Sequence, residues 1–247
     1  MRYFKNEQDF TFLSSFKDNY KVITEELINF LNNPNVDFQK FVQTSSAQNS
    51  INKVDFWKII ALYIHLKTPL EIFQEYSDFY QVNIEQVKQA YDYIYSQFPQ
   101  TWKIVRELTA SQDNGIINVF FSYFEPGAKL NLHVNDDPYM YRAHLGLIVP
   151  EGNIGFKVCD DLVKWQEGEV LVFTPTNPHT AWNLTKHPRV IMIIDFFKPD
   201  ADRAEMKQLE RQQFEKMMLI NPWSFGMSGG YSDLDPETIK KYAVLDI

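Results

Sequence analysis

The chain is organised around the stretch Ser122–Pro199, in which residues 141–149 read YRAHLGLIV and residues 190–197 read VIMIIDFF. Short segments rich in Val, Ile and Phe recur here, and turn-forming residues separate them. The predicted strands are Ile116–Phe124, Tyr141–Val149, Ile154–Val158, Glu169–Phe173 and Val190–Phe197. Strands at this spacing favour an antiparallel sandwich or barrel over alternating strands and helices.

Four of the five histidines lie in this stretch, and three of them, with two arginines, are candidate site residues: His133, His144, His179, Arg142 and Arg189. Neutral imidazoles on facing strands can hold Fe(II) with positions left open for other ligands. An arginine can bind a carboxylate through two parallel hydrogen bonds. Arg142 and His144 alternate along one predicted strand, so both side chains are expected on the same face. The group therefore predicts a metal site beside a site for a dianionic ligand.

The residues before 113 are predicted to form mostly helices that support the strands, because apolar residues recur there at helical spacing. The predicted helices are Asn19–Phe30, Leu70–Tyr80, Ile84–Phe98 and Pro99–Leu108, and Asn83 is expected to cap the third. Phe56–Tyr63 is instead predicted as a strand, since aromatic and β-branched residues dominate it. The polar residues Thr44–Asn52 are predicted to form an exposed loop.

Beyond Pro199 the pattern predicts a helix over Asp202–Met218 and a loop-like tail from Asn221. No repeat, low-complexity tract or clear linker interrupts the sequence. We therefore predict one domain over residues 1–247. It would consist of a mostly helical support region at 1–112, a β core at 113–199, and a C-terminal helix and tail at 200–247.

The composition disfavours several classes of partner. A net charge of −8 argues against nucleic acid or an anionic membrane surface as the main partner. The longest apolar run, Ile59–Ile64, is far too short to span a bilayer, and the first residues lack the apolar core of a secretory signal. The single cysteine, Cys159, excludes an intrachain disulfide. We therefore expect a cytoplasmic protein that acts on a small molecule or a peptide.

Several motifs follow one another through the β region. They read FSYFEPG at 121–127, YRAHLGL at 141–147, WQEGE at 165–169, HTAWN at 179–183 and RVIMIIDF at 189–196, with His133 and Pro150 between them. In these motifs and their intervals the sequence resembles the aspartyl/asparaginyl β-hydroxylase family of Fe(II)- and 2-oxoglutarate-dependent oxygenases. The resemblance spans roughly residues 10–200 and is most specific over 120–197.

The resemblance implies a mainly β fold with helical support, namely a double-stranded β-helix of the jelly-roll or cupin type. It implies that His133 and His179 bind the iron. It also implies that Arg189 and Ser122 bind the distal carboxylate of 2-oxoglutarate. These roles are expectations carried over from the family, position by position.

The resemblance further assigns Arg142 and His144 to the carboxylate of 2-oxoglutarate beside the iron, and it gives Trp165 a structural role. With O2, the implied reaction converts 2-oxoglutarate to succinate and CO2 and hydroxylates an unactivated carbon of an amino-acid side chain, free or in a peptide. Two alternatives stay open. One is a lipid-acyl hydroxylase of the same family, and the other is a non-catalytic binding protein with a degenerate iron site.

The sequence departs from the family pattern at two places. Asn135 stands where the best-known members have glycine and where many related oxygenases have an aspartate ligand. We expect its amide either to act at the metal, directly or through a metal-bound water, or to serve only in a turn. Asp136 is a further candidate ligand. Thr174-Pro175 replaces the family's acidic pair, which removes an expected carboxylate.

Overall fold

The computed structural model describes residues 2–34, 57–110, 113–220 and 235–242. The strands within these ranges are β1 Phe4–Lys5, β2 Trp57–Tyr63, β3 Ile116–Phe124, β4 Ala128–His133, β5 Met140–Ile148, β6 Ile154–Val158, β7 Asp161–Val163, β8 Val170–Phe173, β9 His179–Asn183 and β10 Arg189–Phe197. The helices are α1 Leu13–Lys17, α2 Tyr20–Leu31, α3 Pro69–Glu75, α4 Ser77–Tyr80, α5 Ile84–Gln97, α6 Pro99–Ala110, α7 Arg203–Ile220 and α8 Pro236–Tyr242, with a 3-10 turn at Glu7–Asp9. No helix in the described ranges is both long and apolar enough to cross a bilayer.

The strands form two antiparallel sheets that pack face to face. The larger sheet has the order β1-β8-β5-β10-β3-β2, and the smaller has the order β4-β9-β6-β7. From β3 to β10 the chain passes repeatedly from one sheet to the other, so neighbouring strands are mostly distant in sequence. This order is that of an eight-stranded jelly roll, or double-stranded β-helix, with β1 and β2 added at the edges of the larger sheet. The predicted fold class is confirmed.

Two hydrophobic clusters bury the two faces of the larger sheet. Between the sheets, Ile191 of β10 packs in one cluster with Phe156 of β6. On the opposite face, Met192 packs in a second cluster with Leu27 of α2 and Val105 of α6. The side chains of successive β10 residues therefore pack into opposite clusters, which explains why consecutive residues of this strand are apolar. Since helices cover the outer face, the space between the sheets is left for a binding site.

Most predicted elements are confirmed within two residues of their predicted ends, but two predictions are wrong. The helix predicted at Leu70–Tyr80 is two helices, α3 and α4, because the backbone leaves helical geometry at Tyr76 (φ −111°, ψ 29°). The tail predicted as loop contains α8, whose first amides are capped by Asp235. The loop predicted at Thr44–Asn52 lies outside the described residues.

The carboxylate of Glu26 joins two of the supporting helices. It lies on α2, is buried, and accepts hydrogen bonds from the backbone amides of Gln100 (2.8 Å) and Thr101 (3.0 Å) in the first turn of α6. The hydroxyl of Thr101 also donates to it at 2.6 Å. Amides in the first turn of a helix have no partner within the helix, and a negative charge is favoured there. Glu26 therefore caps α6 from a distant part of the chain.

We expect Glu26→Ala to lower the free energy of unfolding by about 2 kcal/mol, because it leaves buried amides of α6 without an acceptor. Glu26→Gln keeps one acceptor oxygen and should cost less. Urea denaturation measures both effects. The control is Glu25→Ala at the exposed neighbouring position, which should stay within about 0.5 kcal/mol of the wild type. Equal losses at positions 25 and 26 would contradict the capping role.

Candidate metal and anion site

Two histidines from neighbouring strands face each other on the smaller sheet. His133 ends β4, His179 begins β9, and the two residues are direct partners in the antiparallel ladder. Both side chains are buried, and their ring centroids lie 4.1 Å apart. Strand pairing thus brings together the two predicted iron ligands, which are far apart in sequence.

The same kind of hydrogen bond orients each of the two rings. Nδ1 of His133 lies 2.7 Å from the carbonyl oxygen of Asn131, and Nδ1 of His179 lies 2.8 Å from that of Asn177. Because a carbonyl oxygen only accepts, Nδ1 carries the proton in the neutral ring and Nε2 carries the lone pair. Metal-binding histidines are commonly held by such a bond from the second ring nitrogen.

Burial keeps both rings in the neutral form. It lowers the pKa of His133 to about 4, and the positive charge of Arg142 acts in the same direction. It also lowers the pKa of His179 well below its ordinary value, with further contributions from His133 and Arg142. The neutral imidazole is the form that binds metal ions, so the pair is ready to bind one at neutral pH.

His144 lies on β5 among aromatic rings that also reach His179. Its ring centroid is 4.9 Å from that of Phe156 and 5.1 Å from that of Phe173, and the Phe173 ring is 5.3 Å from His179. Trp165 Nε1 donates to His144 Nδ1 at 3.3 Å. Burial lowers the pKa of His144 well below its ordinary value, helped by the charges of Arg142 and Arg189. The third histidine is therefore neutral and adjoins the pair through shared aromatic contacts.

Arg189 places a guanidinium group in the interior, at the start of β10. The residue is 1% exposed, and its Cζ lies 3.6 Å from the ring centroid of Phe124 and 4.6 Å from that of Trp165. Among the residues that the structure describes, its Nη1 donates only to Ser122, and its buried Nε has no hydrogen-bond partner. No carboxylate of the described residues forms an ion pair with it. Burial lowers its pKa well below the ordinary value, which expresses the cost of this unpaired charge.

Ser122 lies beside Arg189 on β3 and is buried. Its Oγ accepts from Trp57 Nε1 at 3.0 Å and from Arg189 Nη1 at 3.3 Å. With both acceptor positions in use, the hydroxyl proton remains to be donated to another acceptor. Arg189 and Ser122 therefore both offer donors to an anion. Trp57 and Trp165 also belong to this site, although the sequence assigned neither of them a binding role.

Arg142 is held by a carboxylate that sequence reasoning missed. Its Nε and Nη2 donate to Asp195 Oδ1 (2.7 Å) and Oδ2 (3.0 Å), and Asn118 Nδ2 donates to Asp195 Oδ2 (2.8 Å). Asp195 is fully buried and lies opposite Arg142 in the β5–β10 ladder. The predicted role of Arg142 toward a ligand carboxylate stays a prediction, since this ion pair already uses two of its donor nitrogens.

Asn135 lies two residues after His133 in the sequence and is buried, whereas Asp136 is exposed. Its backbone amide donates to the carbonyl oxygen of Pro175 at 2.9 Å, which ties it to the segment where the family's acidic pair was expected. Its Oδ1 is buried without a hydrogen-bond partner. No group of three or more His, Cys, Asp or Glu side chains suited to a metal ion occurs within the described ranges. Asn135 thus presents an amide oxygen at the position where many related oxygenases have an aspartate ligand.

Several known proteins are similar to this chain over part of its length. The ornithine lipid ester-linked acyl 2-hydroxylase of Rhizobium tropici is 40% identical over 103 residues, which are 41% of this chain and 35% of that protein. Aspartate beta-hydroxylase domain-containing protein 2 of Xenopus tropicalis is 30% identical over 116 residues, 45% of this chain and 31% of that protein. The human aspartyl/asparaginyl beta-hydroxylase is 27% identical over 89 residues, 36% of this chain and 12% of that protein. The matches thus span about a third or less of these relatives.

Solved structures with some likeness include two cupin domains. The cupin domain of Schizosaccharomyces pombe Cnp3 has a TM-score of 0.30 and 14% identity, and the match covers 37% of this chain and 57% of that one. The Cupin_2 domain of an XRE family transcriptional regulator from Enterobacter cloacae has a TM-score of 0.29 and 14% identity, covering 33% of this chain and 81% of that one.

The family match extends through most of the described chain. It begins in α1 and ends just after β10, so it includes both histidines of the pair, Arg189 and the strands that position them. The model of the aspartyl/asparaginyl beta-hydroxylase family matches residues 17–199, and this chain belongs to that family.

Proposed function

We propose that this protein is an Fe(II)- and 2-oxoglutarate-dependent hydroxylase. The observation that carries the proposal is the buried guanidinium of Arg189, which lacks a carboxylate partner among the described residues. Trp165 contacts both Arg189 and His144, so the unpaired charge lies in the same interior as the histidines. A bound carboxylate would offset the cost of the buried charge and form charge-assisted hydrogen bonds with it.

The residues present fit an iron ion. His133 and His179 would hold it through Nε2, since their Nδ1 atoms donate to backbone carbonyls. The unpartnered Oδ1 of Asn135 would serve the metal or a water bound to it. Bound iron would supply the activation of O2 that hydroxylation of an unactivated carbon requires.

The two ends of 2-oxoglutarate would meet different groups. Arg189 and the hydroxyl of Ser122 would bind the distal carboxylate, because both offer donors in a buried position. His144 and Arg142 would stand near the carboxylate beside the metal, where the charge of Arg142 also lowers the pKa of both metal-binding histidines. Asp195 would keep Arg142 in place.

In the proposed reaction, one oxygen atom of O2 enters succinate and the other enters the product alcohol, while CO2 leaves. Sequestration between the sheets would exclude bulk water from the reacting groups. We propose an amino-acid side chain, free or in a peptide, as the substrate, in keeping with the family. A non-catalytic binding role, suggested by Thr174-Pro175, is the alternative that turnover would exclude.

A second candidate substrate is the acyl chain of a lipid. The observation that favours it is the 40% identity to the acyl 2-hydroxylase of Rhizobium tropici, against 27% to the human aspartyl/asparaginyl enzyme. Product analysis separates the two candidates: a peptide library and an extract of acylated lipids, each incubated with the protein, are searched by mass spectrometry for the gain of one oxygen atom.

We expect the protein to form succinate from 2-oxoglutarate in the presence of Fe(II) and O2, and to bind about one Fe(II) per chain. His133→Ala and His179→Ala should each weaken iron binding by at least roughly tenfold and abolish succinate formation, because each removes a ligand nitrogen. Iron titration under nitrogen and detection of succinate are the measurements.

The control for these variants is His187→Ala, which changes an exposed histidine. It should bind iron and turn over like the wild type. Wild-type iron affinity in both His133→Ala and His179→Ala would contradict the ligand assignment. Iron binding without succinate formation under any condition would favour the non-catalytic alternative.

Arg189→Ala should raise the concentration of 2-oxoglutarate needed for binding by roughly 100-fold or more, since it removes a buried partner of a carboxylate. Arg189→Lys should recover only part of this affinity, because an ammonium group cannot form the paired hydrogen bonds of a guanidinium. Thermal shift measures binding without turnover, since a ligand that binds only the folded state raises Tm.

In the same experiment, Arg106→Ala tests an exposed arginine of α6 and should keep the wild-type response. In the absence of 2-oxoglutarate, the Tm of Arg189→Ala should fall by no more than the lost packing explains, because the substitution also removes an unpaired buried charge. An unchanged thermal shift by 2-oxoglutarate in Arg189→Ala and Arg189→Lys would rule out the anchor.

Asn135→Asp should tighten Fe(II) binding if the side chain faces the metal, because a carboxylate adds a charged oxygen ligand. Asn135→Gly should retain substantial turnover if the amide is not an essential ligand. Asp136→Asn, at the exposed neighbouring position, is the control and should change neither property. If iron affinity and turnover stay constant in all three variants, Asn135 is only a turn residue.

A further inference from the structure

A small, partly open cavity close to the candidate metal and anion site is lined in part by residues whose roles are described above. Its volume is about 30 Å³, enough for one or two groups the size of water. Asn135, two residues after His133, lines it, as do Arg142 and Asp195. The remaining wall is formed by His65, Asn118, Phe120, Asp137, Met140, Glu210 and Gln213.

The lining of this cavity has more acceptors than donors. Its three carboxylates belong to Asp137, Asp195 and Glu210. The lining has one guanidinium, that of Arg142, and it is already paired with Asp195. The hydroxyl of Tyr139 lies 3.4 Å from Asp137 Oδ1, 2.9 Å from Glu210 Oε2 and 2.7 Å from an oxygen of Gln213. The single hydroxyl proton can be donated to only one of these acceptors, although Asp137 also forms a side-chain hydrogen bond with Gln213.

Within the part of the chain that the structure describes, two further buried atoms of the lining have no hydrogen-bond partner. They are Oδ1 of Asn135, a residue that is 2% exposed, and Nε2 of His65, whose Nδ1 is bonded to Glu210. The amide oxygen of Asn135 is an acceptor. An acceptor left unsatisfied in the interior costs free energy, which a bound donor would recover.

We propose that this cavity binds the ammonium group of a primary amine carried by the substrate. An ammonium ion offers three donors and a positive charge, and a group of its size fits the cavity. Asp137 and Glu210 would supply the charge partners, and the lone pair of Asn135 Oδ1 that does not face the metal or its water would supply a neutral acceptor.

This inference rests on the proposed function and narrows its substrate to molecules with an amine. Two of the lining residues, Glu210 and Gln213, lie on α7, which follows the last residue matched by the family model. Glu210 is buried there and is held by His65 and Tyr139. Glu210 and Gln213 therefore add a contribution from outside the family match, whereas Asp137 and Asn135 lie inside it.

A matched pair of probes tests the inference on the full chain without added metal. Nα-acetyl-ornithine methylamide and Nα-acetyl-norleucine methylamide have side chains of equal length, and an ammonium group in the first replaces a methyl group in the second. Calorimetric titration should show that the wild type binds the ornithine compound at least roughly tenfold more tightly. Glu210→Gln and Asp137→Asn should each remove most of this preference.

The control is Glu205→Gln, which removes the same charge from an exposed position of α7 and should keep the preference. Equal binding of the two probes by the wild type would overturn the inference, even if the variants failed to fold. An equal loss in Glu205→Gln and Glu210→Gln would also overturn it, since the effect would then be one of overall charge.

Succinate formation is scored separately from probe binding. An amine preference without any succinate would support the cavity as an amine site and contradict the proposed oxygenase function. Succinate formation without an amine preference would support the oxygenase function and overturn the inference about the cavity. The two failures are therefore distinguishable.

Discussion

A positive charge enclosed between two sheets is the constraint on which the rest of the interior depends. The guanidinium of Arg189 contacts the rings of Phe124 and Trp165, and Ser122 alone among the described residues accepts hydrogen bonds from it. A domain gains nothing in stability from such a group, because removing it from water costs more than stacking on rings returns. An anionic ligand that paired with the guanidinium would offset this cost. The neighbouring aromatic side chains then keep water away from the anion.

The apolar runs were sufficient to predict the larger sheet and its helical cover. β3, β5 and β10 are rich in apolar residues, and helical spacing is clear in α2 and α5. The strands β4 and β9 were missed because their short sequences, AKLNLH and HTAWN, mix polar and apolar residues. These two strands carry the histidine pair. The weakest strand signals in the core thus belong to the elements that hold the candidate metal ligands.

The site residues that were missed share a physical reason. Asp195 pairs with Arg142 only because β5 and β10 are neighbours in a particular register. Glu210 reaches His65 only because α7 returns across the end of the β core. Neither contact is local in sequence, and no residue pattern of either partner indicates it. Family resemblance predicted the candidate site residues, whereas these long-range contacts were found only in the structure.

Strand β10 has a geometric consequence for anything bound inside. Arg189, Ile191, Ile193 and Asp195 alternate along the strand, so all four side chains face the interior. The Cα atoms of Arg189 and Asp195 are therefore roughly 20 Å apart along an extended backbone. Hydrogen bonds to β3 on one side and β5 on the other fix this length. The strand therefore sets the distance between the cationic side chain of Arg189 and the anionic side chain of Asp195. A shift of one residue in the strand register would turn both side chains away from the interior.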